Sequence, residues 1–454
     1  MTGAWKLALR NVGRHRRRSF VTGLAIALGY AGLVVLGGYA VRIETLLRNG
    51  SVYGQHRGHL SIYAKGGLKR AEAKPSVYAL TPEAQERIAA VLRADPRVEV
   101  VGRYLQGSGI AGNGCRSFPF RAVGVEPDLE RRIMAHPDVV ALRGGKVEPR
   151  GGRFLFDTPE VESPVVLAPR LATYVGKRAP AAAGGRAEPG PPTPLDCDAK
   201  DLPARIAADP FIQLGARTQD GSFGALEVQA VGLYDPATTE EDKTGLLAPL
   251  ELLERLYDTD RVTYVAAYLR DHRDAPAVAK DVGAKLGAAG LDVSVYRFDD
   301  PVANPYLVGT MSFVAGLVFF IVILVANVVA FSVLNAMTLA ALERTREMGT
   351  LRSLGFTRRQ LGGLFLRETV LLTGAAVAVG AMLALAVAAL VKAADIRFEP
   401  PGMGGEIQLL FTPSPSVFAG TGILFLVLSL AATHLAVRRK ARARVATLIA
   451  EVAA

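Results

Sequence analysis

Four long apolar stretches divide the chain, and charged segments separate them. The stretches run from Ser19 to Val41, from Val302 to Leu342, from Thr369 to Val391 and from Ile407 to Val437. A helix needs about 20 apolar residues to cross a bilayer, so each stretch is long enough for one span. The second stretch is much longer, and as a helix rising about 1.5 Å per residue it would project beyond the membrane.

The first stretch follows a basic start, as the core of a signal peptide does. Signal-peptide cores are about 7–15 residues long, and this apolar run is longer. We therefore expect an uncleaved first span.

Basic residues are concentrated at both ends of the chain and between the second and third stretches. These regions hold 17 basic and 4 acidic residues, whereas Arg42 to Tyr306 holds 34 and 35, and Lys392 to Phe411 holds 2 and 3. Basic connections lie in the cytoplasm under the positive-inside rule. We therefore expect both termini and the loop between the second and third stretches to be cytoplasmic. The segments from Arg42 to Tyr306 and from Lys392 to Phe411 should lie outside. This distribution, rather than binding to nucleic acid, explains the net charge of +11.

The predicted fold class is a membrane α-helical protein with four transmembrane helices. A large mixed α/β extracytoplasmic domain lies between helices 1 and 2. The predicted segments are a cytoplasmic basic elbow (1–18), helix 1 (19–41), the extracytoplasmic domain (42–305), helix 2 (306–341), a cytoplasmic coupling segment (342–367), helix 3 (368–391), an outer loop (392–412), helix 4 (413–437) and a cytoplasmic tail (438–454).

Short helices and strands alternate in the outer domain. Thr81 and Pro82 are typical of an N-cap and a first helical turn, and Glu126-Pro127 of a turn. Segment 177–193 is rich in Pro, Ala and Gly and is predicted to be an exposed loop. The predicted helices cover 82–94, 169–175, 247–257 and 275–286, and the predicted strands cover 59–64, 98–101, 118–125, 165–167, 226–233, 263–269 and 293–296.

Three features of side-chain chemistry concern packing. Cys115 and Cys197 are the two cysteines of the chain, and an oxidising compartment permits a disulfide between them, with two unrelated thiols as the alternative. Gly23, Ala27 and Ala31 form a small-residue pattern that favours close helix contact. We expect Asn327, inside the second stretch, to hydrogen-bond to a neighbouring helix.

The charged segment between the second and third spans has the pattern of a short amphipathic helix. Glu343 and Glu347 are four residues apart and share one helical face. An apolar stripe recurs at helical spacing. The stripe consists of Met348, Leu351 and Leu354.

A helix stop and a new helix start follow. Gly355 is typical of a helix end, and Thr357 with Gln360 has the spacing of a capping box. The sequence therefore predicts a helix, a turn and the root of the third membrane helix at the membrane surface.

Recognisable catalytic chemistry is missing from the sequence. It contains no GxxxxGK[ST] phosphate loop, HExxH helix, CxxC pair or GxSxG elbow. His56 and His59 are close together, but they suit a surface loop at least as well as a metal site. We predict no catalytic residue, no metal and no cofactor, so energy for any transport would come from another chain.

The run from Phe331 to Leu372, which contains ERTREMGTLRSLG, resembles the MacB/FtsX-like ABC transporter permeases, most of all the lipoprotein-releasing LolC/LolE type. The start, WKLALRNVGRHRRRSFVTGLAIALG, is similar to that family's basic elbow and first span. The resemblance implies a separate cytoplasmic ABC ATPase and a second permease, as a homodimer or a heterodimer, in the cell inner membrane. Lipoprotein cargo or an outer chaperone are further candidate partners.

The resemblance also implies site residues. The segment that would dock on the ATPase contains Glu343, Arg344, Thr345, Arg346, Glu347, Met348, Leu351, Arg352, Leu354 and Gly355. The alternative is that these charges only set topology. The elbow is expected to face the lipid bilayer surface, or only to set topology, through Lys6, Arg10, Arg14, Arg16, Arg17 and Arg18.

Two other functions stay open at this point. An FtsX-like signalling module would use ATPase-driven motion to control an extracytoplasmic hydrolase without transport. A membrane enzyme would need an outer catalytic site that the sequence does not reveal.

Overall fold

A computed structural model of this 454-residue chain describes residues 5–6, 8–10, 13, 16–142, 147–177, 197–343, 350, 353, 355–398 and 407–441. The chain forms two compact units. One comprises Met1–Glu44, Thr310–Arg397 and Gln408–Ala454, and the other comprises Thr45–Gly309 and Phe398–Ile407.

The helices in the described residues are numbered in chain order. They are α1 (Arg16–Asn49), α2 (Gly67–Arg70), α3 (Pro75–Tyr78), α4 (Pro82–Arg93), α5 (Pro127–Met134), α6 (Pro137–Leu142), α7 (Pro169–Tyr174), α8 (Leu202–Ala208), α9 (Thr239–Thr244), α10 (Leu250–Tyr257), α11 (Ala275–Ala288), α12 (Pro305–Glu343), α13 (Arg358–Ala393) and α14 (Pro415–Ala441). A π-helical turn, Gly50–Gly54, continues α1, and short 3₁₀ turns lie at Leu155–Asp157 and His272–Asp274.

The strands are numbered in the same way. They are β1 (Leu60–Ala64), β2 (Val98–Gly112), β3 (Ser117–Val125), β4 (Gly151–Gly152), β5 (Pro164–Leu167), β6 (Phe211–Arg217), β7 (Phe223–Leu233), β8 (Gly245–Pro249), β9 (Tyr264–Leu269), β10 (Val293–Arg297), β11 (Arg397–Phe398) and β12 (Ile407–Gln408).

Four helices of the described residues are long and apolar enough to cross a membrane. They cover Ser19–Gly54, Pro305–Glu343, Arg359–Ala393 and Pro415–Arg438. The 39 residues of α12 correspond to a helix about 58 Å long, whereas the hydrocarbon core is about 30 Å thick. Four such helices and a mixed α/β domain between the first two confirm the predicted fold class.

Small residues and one tyrosine organise the helical unit. Tyr30 on α1 is 2% exposed, donates a hydrogen bond to the carbonyl of Phe418 at 3.0 Å and contacts the Phe418 and Phe425 rings edge-on. Ala27 and Ala31 are also buried. A Cβ atom added at Gly380 would lie 2.6 Å from the carbonyl oxygen of Ala27. The close helix contact predicted for the first span is therefore confirmed, with α13 as the neighbour at this point.

The prediction for Asn327 is wrong within this chain. Its side chain is exposed on α12, and its Nδ2 donates to the carbonyl of Ile323, one turn earlier in the same helix, at 2.8 Å. A short polar side chain in an apolar helix can satisfy its donor on its own backbone, so no second helix is required.

A ten-stranded sheet forms the centre of the α/β unit. Its order is β10-β1-β9-β2-β3-β8-β5-β7-β4, and β6 pairs with both β2 and β7. The β3–β8 and β5–β7 pairs are parallel, and the other described pairs are antiparallel. All six residues of β9 are buried because β1 and β2 flank this strand and helix α4 covers it.

The predicted elements of this unit are present with several corrections. Thr81 accepts a hydrogen bond from the amide of Ala84, as expected of an N-cap. The predicted helix at 247–257 begins only at Leu250, because 245–249 pair with β3 and β5 as strand β8. Pro127 starts helix α5 rather than a simple turn. Strand β6 was not predicted, and β2 is far longer than the 98–101 segment.

Cys115 and Cys197 form a disulfide, so the alternative of two unrelated thiols is wrong. The bond joins positions 82 residues apart and in a chain-entropy account stabilises the fold by roughly 4 kcal/mol. Most of the predicted loop 177–193 lies outside the described residues. Its first residue, Lys177, is not exposed: its ammonium group is buried and donates to the carbonyl of Ile206 at 2.7 Å.

The Gly380 contact predicts opposite effects of one substitution at two positions of α13. Gly380→Ala should destabilise the protein by about 1–3 kcal/mol, because the added methyl group overpacks against α1. Gly374→Ala is the matched control: nothing lies within 4 Å of its added Cβ, and alanine favours a helix over glycine by about 1 kcal/mol. Thermal unfolding of the full-length protein in detergent checks this. Equal melting temperatures for both variants would contradict the assigned contact.

Candidate functional site

The proposed docking segment is only partly within the described residues. Arg344 to Met348, Leu351, Arg352 and Leu354 lie outside them. Glu343 is the last residue of α12, and Thr350 and Ser353 are helical. Gly355 has a φ of +92°, a conformation that favours glycine and commonly ends a helix. The predicted helix stop is therefore present.

A capping box starts α13 directly after this stop. The amide of Gln360 donates to Thr357 Oγ1 at 3.3 Å, and the amide of Thr357 donates to Gln360 Oε1 at 2.8 Å. The sequence prediction of this box is confirmed. From Arg358 the helix runs without interruption to Ala393, so its surface root and its membrane span are one rod.

The ends of three helices meet beside this rod. A buried apolar cluster joins the last turn of α12, the root of α13 and the end of α14. Its members are Ala340, Ala341, Leu361, Phe365 and Val437. A force applied to the segment between α12 and α13 would therefore reach both helices through packed side chains.

The basic elbow is helical where it is described. Of its predicted membrane-surface residues, Lys6, Arg10 and Arg17 are exposed, while Arg14 and the side chains of Arg16 and Arg18 lie outside the described residues. Ala8 is fully buried. Trp5, the single tryptophan of the chain, lies 6.0 Å from the guanidinium carbon of Arg367 on α13, as in a cation–π contact.

Asn304 joins the turn after α1 to the start of α12. Its Nδ2 donates to Ser51 Oγ in the π-helical turn after α1, at 2.6 Å, and to the carbonyl of Phe298 at 3.0 Å. Its Oδ1 accepts from the amide of Leu307 at 3.3 Å, which makes Asn304 the N-cap of α12. Asn304 and Ser51 are both about 5% exposed. We call this set of hydrogen bonds the Asn304 clamp.

A buried ion pair lies close to the same turn. His56 Nε2 is 2.9 Å from Glu130 Oε2 on α5, and both side chains are buried. Burial disfavours the charged imidazole, but the Glu130 carboxylate, together with Glu241, raises the pKa of His56 above its usual value. The Glu130 contact therefore favours the protonated form of His56.

His59 has the opposite environment. It is buried, and its Nδ1 accepts a hydrogen bond from the amide of Leu269 at 2.9 Å. Burial, with His272, Arg48 and His136 adding positive charge, lowers the pKa of His59 to about 3. The surface-loop interpretation of His56 and His59 is thus wrong, since both are core residues. Within the described part of the chain, no three His, Cys, Asp or Glu side chains are grouped as metal ligands.

An acidic cavity of about 850 Å³ opens in the α/β unit. Burial raises the pKa of Glu254 in its wall. The described lining includes no histidine, cysteine or lysine that could complete a nucleophile–base pair with a carboxylate. Its charged residues are Glu162, Glu251, Glu254, Asp258, Asp260 and Arg255.

Residues 304–444 match the FtsX-like permease C-terminal family. The periplasmic region of MacB from Actinobacillus actinomycetemcomitans is similar over 53% of this chain and 88% of that chain, with 14% identity and a TM-score of 0.32. The extracellular domain of YknZ, a noncanonic ABC-type transporter from Gram-positive bacteria, is similar over 52% of this chain and 99% of that chain, with 12% identity and a TM-score of 0.29. No curated protein matches the chain.

The Asn304 clamp and the His56–Glu130 pair were not predicted from the sequence. Asn304 precedes Pro305, and an N-cap residue followed by a first-turn proline is a recognisable helix start. The start of α12 at Pro305, with Asn304 as its N-cap, could therefore have been predicted from the sequence. The pairing of His56 with Glu130, 74 residues apart, had no local signal because only the tertiary fold brings α5 to the turn after α1.

The His56–Glu130 pair predicts a pH-dependent effect of one substitution. Because the folded-state pKa of His56 is raised, its contribution is complete below the unfolded value of about 6.5 and is lost as pH rises through the folded-state pKa. Glu130→Gln should cost about 3 kcal/mol or more near pH 6, since it leaves a buried cation unpaired. The cost should shrink as pH rises through the folded-state pKa of His56, because the imidazole then loses its charge.

Thermal unfolding of wild type and variant across this pH range checks the expectation. Asp128→Asn is the control, because Asp128 lies on the same helix with a side chain that is 93% exposed. Its small effect should not vary with pH. A Glu130→Gln deficit that is the same at pH 6 and pH 9 would show that His56 is not the titrating partner.

Proposed function

We propose that this chain is the permease subunit of an ATP-driven, ABC-type exporter, because residues 304–444 match the FtsX-like permease C-terminal family. A separate cytoplasmic ATPase binds the 343–355 segment, and the permease transmits the resulting motion to its α/β domain. The observation that carries this proposal is the family match over 304–444, since it includes α12, α13, α14 and the segment between α12 and α13.

The local structure around the segment supports a docking role. A glycine stop at Gly355 and a capping box at Thr357 separate the segment from α13. The buried cluster of Phe365 and its neighbours ties α12 to α13 directly beside it. An ATPase that tilts the segment would therefore move two long helices as rigid bodies. The contact surface consists of the residues from Glu343 to Gly355.

The direction of the chain in the membrane follows from charge and redox chemistry. Both termini and the 343–355 segment are cytoplasmic by the positive-inside rule. The Cys115–Cys197 disulfide supports an oxidising location for the α/β domain, outside the inner membrane. The elbow, with exposed Lys6 and Arg10, lies on the inner lipid surface.

We also propose a second permease, identical or similar, on the resemblance to the MacB/FtsX-like permeases. We propose lipoproteins or other lipophilic molecules as cargo, on the resemblance to the LolC/LolE type, with an outer chaperone as acceptor. ATP-dependent release of a labelled lipoprotein from vesicles holding permease and ATPase tests this. Motion of the outer domain without release of any lipoprotein, peptide or drug would indicate an FtsX-like signalling module instead.

Charge reversal tests the docking surface. Glu343→Lys combined with Glu347→Lys should reduce the amount of ATPase that co-purifies with the permease at least tenfold, because two carboxylates of one helical face change sign. Asp128→Lys is the matched control, since it reverses an exposed carboxylate of the α/β unit. Retention of the ATPase by the double variant at the wild-type level would refute the docking assignment.

Trp5 supplies a second readout of the same experiment. As the single tryptophan, it reports by fluorescence on the surroundings of Arg367 at the root of α13. Adding an ATPase that has no tryptophan should change the emission of wild type and of Asp128→Lys but not of the double glutamate variant.

A further inference from the structure

Two threonine side chains meet at the contact between α13 and α14, and a further buried hydroxyl lies one turn from each of them. Thr369 Oγ1 and Thr433 Oγ1 are 2.7 Å apart, and Thr369 also donates to the carbonyl of Phe365 at 3.0 Å. Thr373 follows Thr369 by four residues, and Ser429 precedes Thr433 by four. All four side chains are at most 1% exposed.

The two helices run in opposite directions at this contact. Thr369 meets Thr433, whereas further along α13 a Cβ placed at Gly422 of α14 would meet Val377 at 3.8 Å. One turn along α13 therefore corresponds to one turn back along α14. Thr373 and Ser429 consequently occupy facing positions, one turn from the Thr369–Thr433 pair.

Neither of these facing hydroxyls has a hydrogen-bond partner among the described residues. The neighbouring part of the bundle is apolar, with Ala376, Phe425 and Ala432 buried in one cluster. A buried hydroxyl without a partner is costly, and a membrane supplies no bulk water to satisfy it. Two such groups at facing positions therefore point to a shared ligand between them.

We propose that Thr373 and Ser429 bind one ordered water molecule that bridges α13 and α14. A water with two hydroxyl partners can also donate to the free lone pairs of backbone carbonyls one turn away, which gives it the two to four polar partners that a buried water needs. The helices are then joined by a polar ladder, with the direct Thr369–Thr433 bond as one rung and the water bridge as the other.

The water rung has a consequence for motion. A bridging water can exchange its partners at little cost, whereas a direct hydroxyl pair fixes two side chains against each other. If the ATPase tilts α13, as the proposed function requires, this rung is where α13 can shift against α14. That consequence rests on the proposed function, whereas the water site itself does not.

A double-mutant cycle on the full-length protein in lipid nanodiscs tests the site without any ATPase. Thr373→Val and Ser429→Ala should each lower the melting temperature by roughly 2–4 °C, because each leaves one hydroxyl without its bridge. The double variant should melt no lower than the less stable single variant, since no orphan hydroxyl remains. Additive losses would overturn the proposal, because they indicate that each hydroxyl bonds independently to its own helix.

A high-resolution cryo-EM map of the wild type distinguishes a water from a direct bond. Density for one water is expected within hydrogen-bond distance of both Thr373 Oγ1 and Ser429 Oγ. The Thr369–Thr433 pair is the internal control, and no water should separate its oxygens. A direct Thr373–Ser429 hydrogen bond, or an empty dry contact, would overturn the water site even if the two residues are coupled in the cycle.

Discussion

The Asn304 clamp is the interaction that fixes the start of α12 beside the end of α1. Asn304 Oδ1 caps α12 by accepting a hydrogen bond from the amide of Leu307, and Asn304 Nδ2 donates to Ser51 Oγ in the turn after α1. Asn304 and Ser51 are both buried. Loss of the Asn304 side-chain amide would therefore leave its partners without a hydrogen bond and without access to water. Buried hydrogen bonds therefore hold the start of α12 to the turn after α1.

At the other end of α12, apolar packing rather than hydrogen bonding joins this helix to its neighbours. The cluster around Phe365 packs α12, α13 and α14 together, and the Thr357 capping box fixes where α13 begins. Between the two ends, α12 is a single uninterrupted helix of 39 residues. Backbone hydrogen bonds along such a rod are satisfied internally, so it keeps its shape in lipid. A stiff rod with a fixed point at each end is the simplest device for carrying a displacement.

Much of this layout could be predicted because it rests on local signals. Apolar length predicted the four spans, and residue spacing predicted the Thr357–Gln360 box and the stop at Gly355. Contacts made by the tertiary fold could not be predicted in this way. The sequence predicts a helix over 247–257, but pairing with β3 and β5 places 247–249 in strand β8. The burial of His56 likewise depends on Glu130 from a distant helix. Asn327 was misjudged because its own helix satisfies it.

In the proposed function, ATP hydrolysis by a partner subunit moves the α/β domain through α12. Spin labels at Asp128→Cys in the α/β unit and at Leu390→Cys in α13 measure this most directly, since the paired native cysteines do not react with the label. In nanodiscs with the ATPase, adding ATP and vanadate should shift the distance distribution between the labels. The same shift should be lost in Asn304→Ala, which removes the clamp but keeps the spans. A distribution that ATP leaves unchanged in the wild type, or a shift that Asn304→Ala retains in full, would contradict the account.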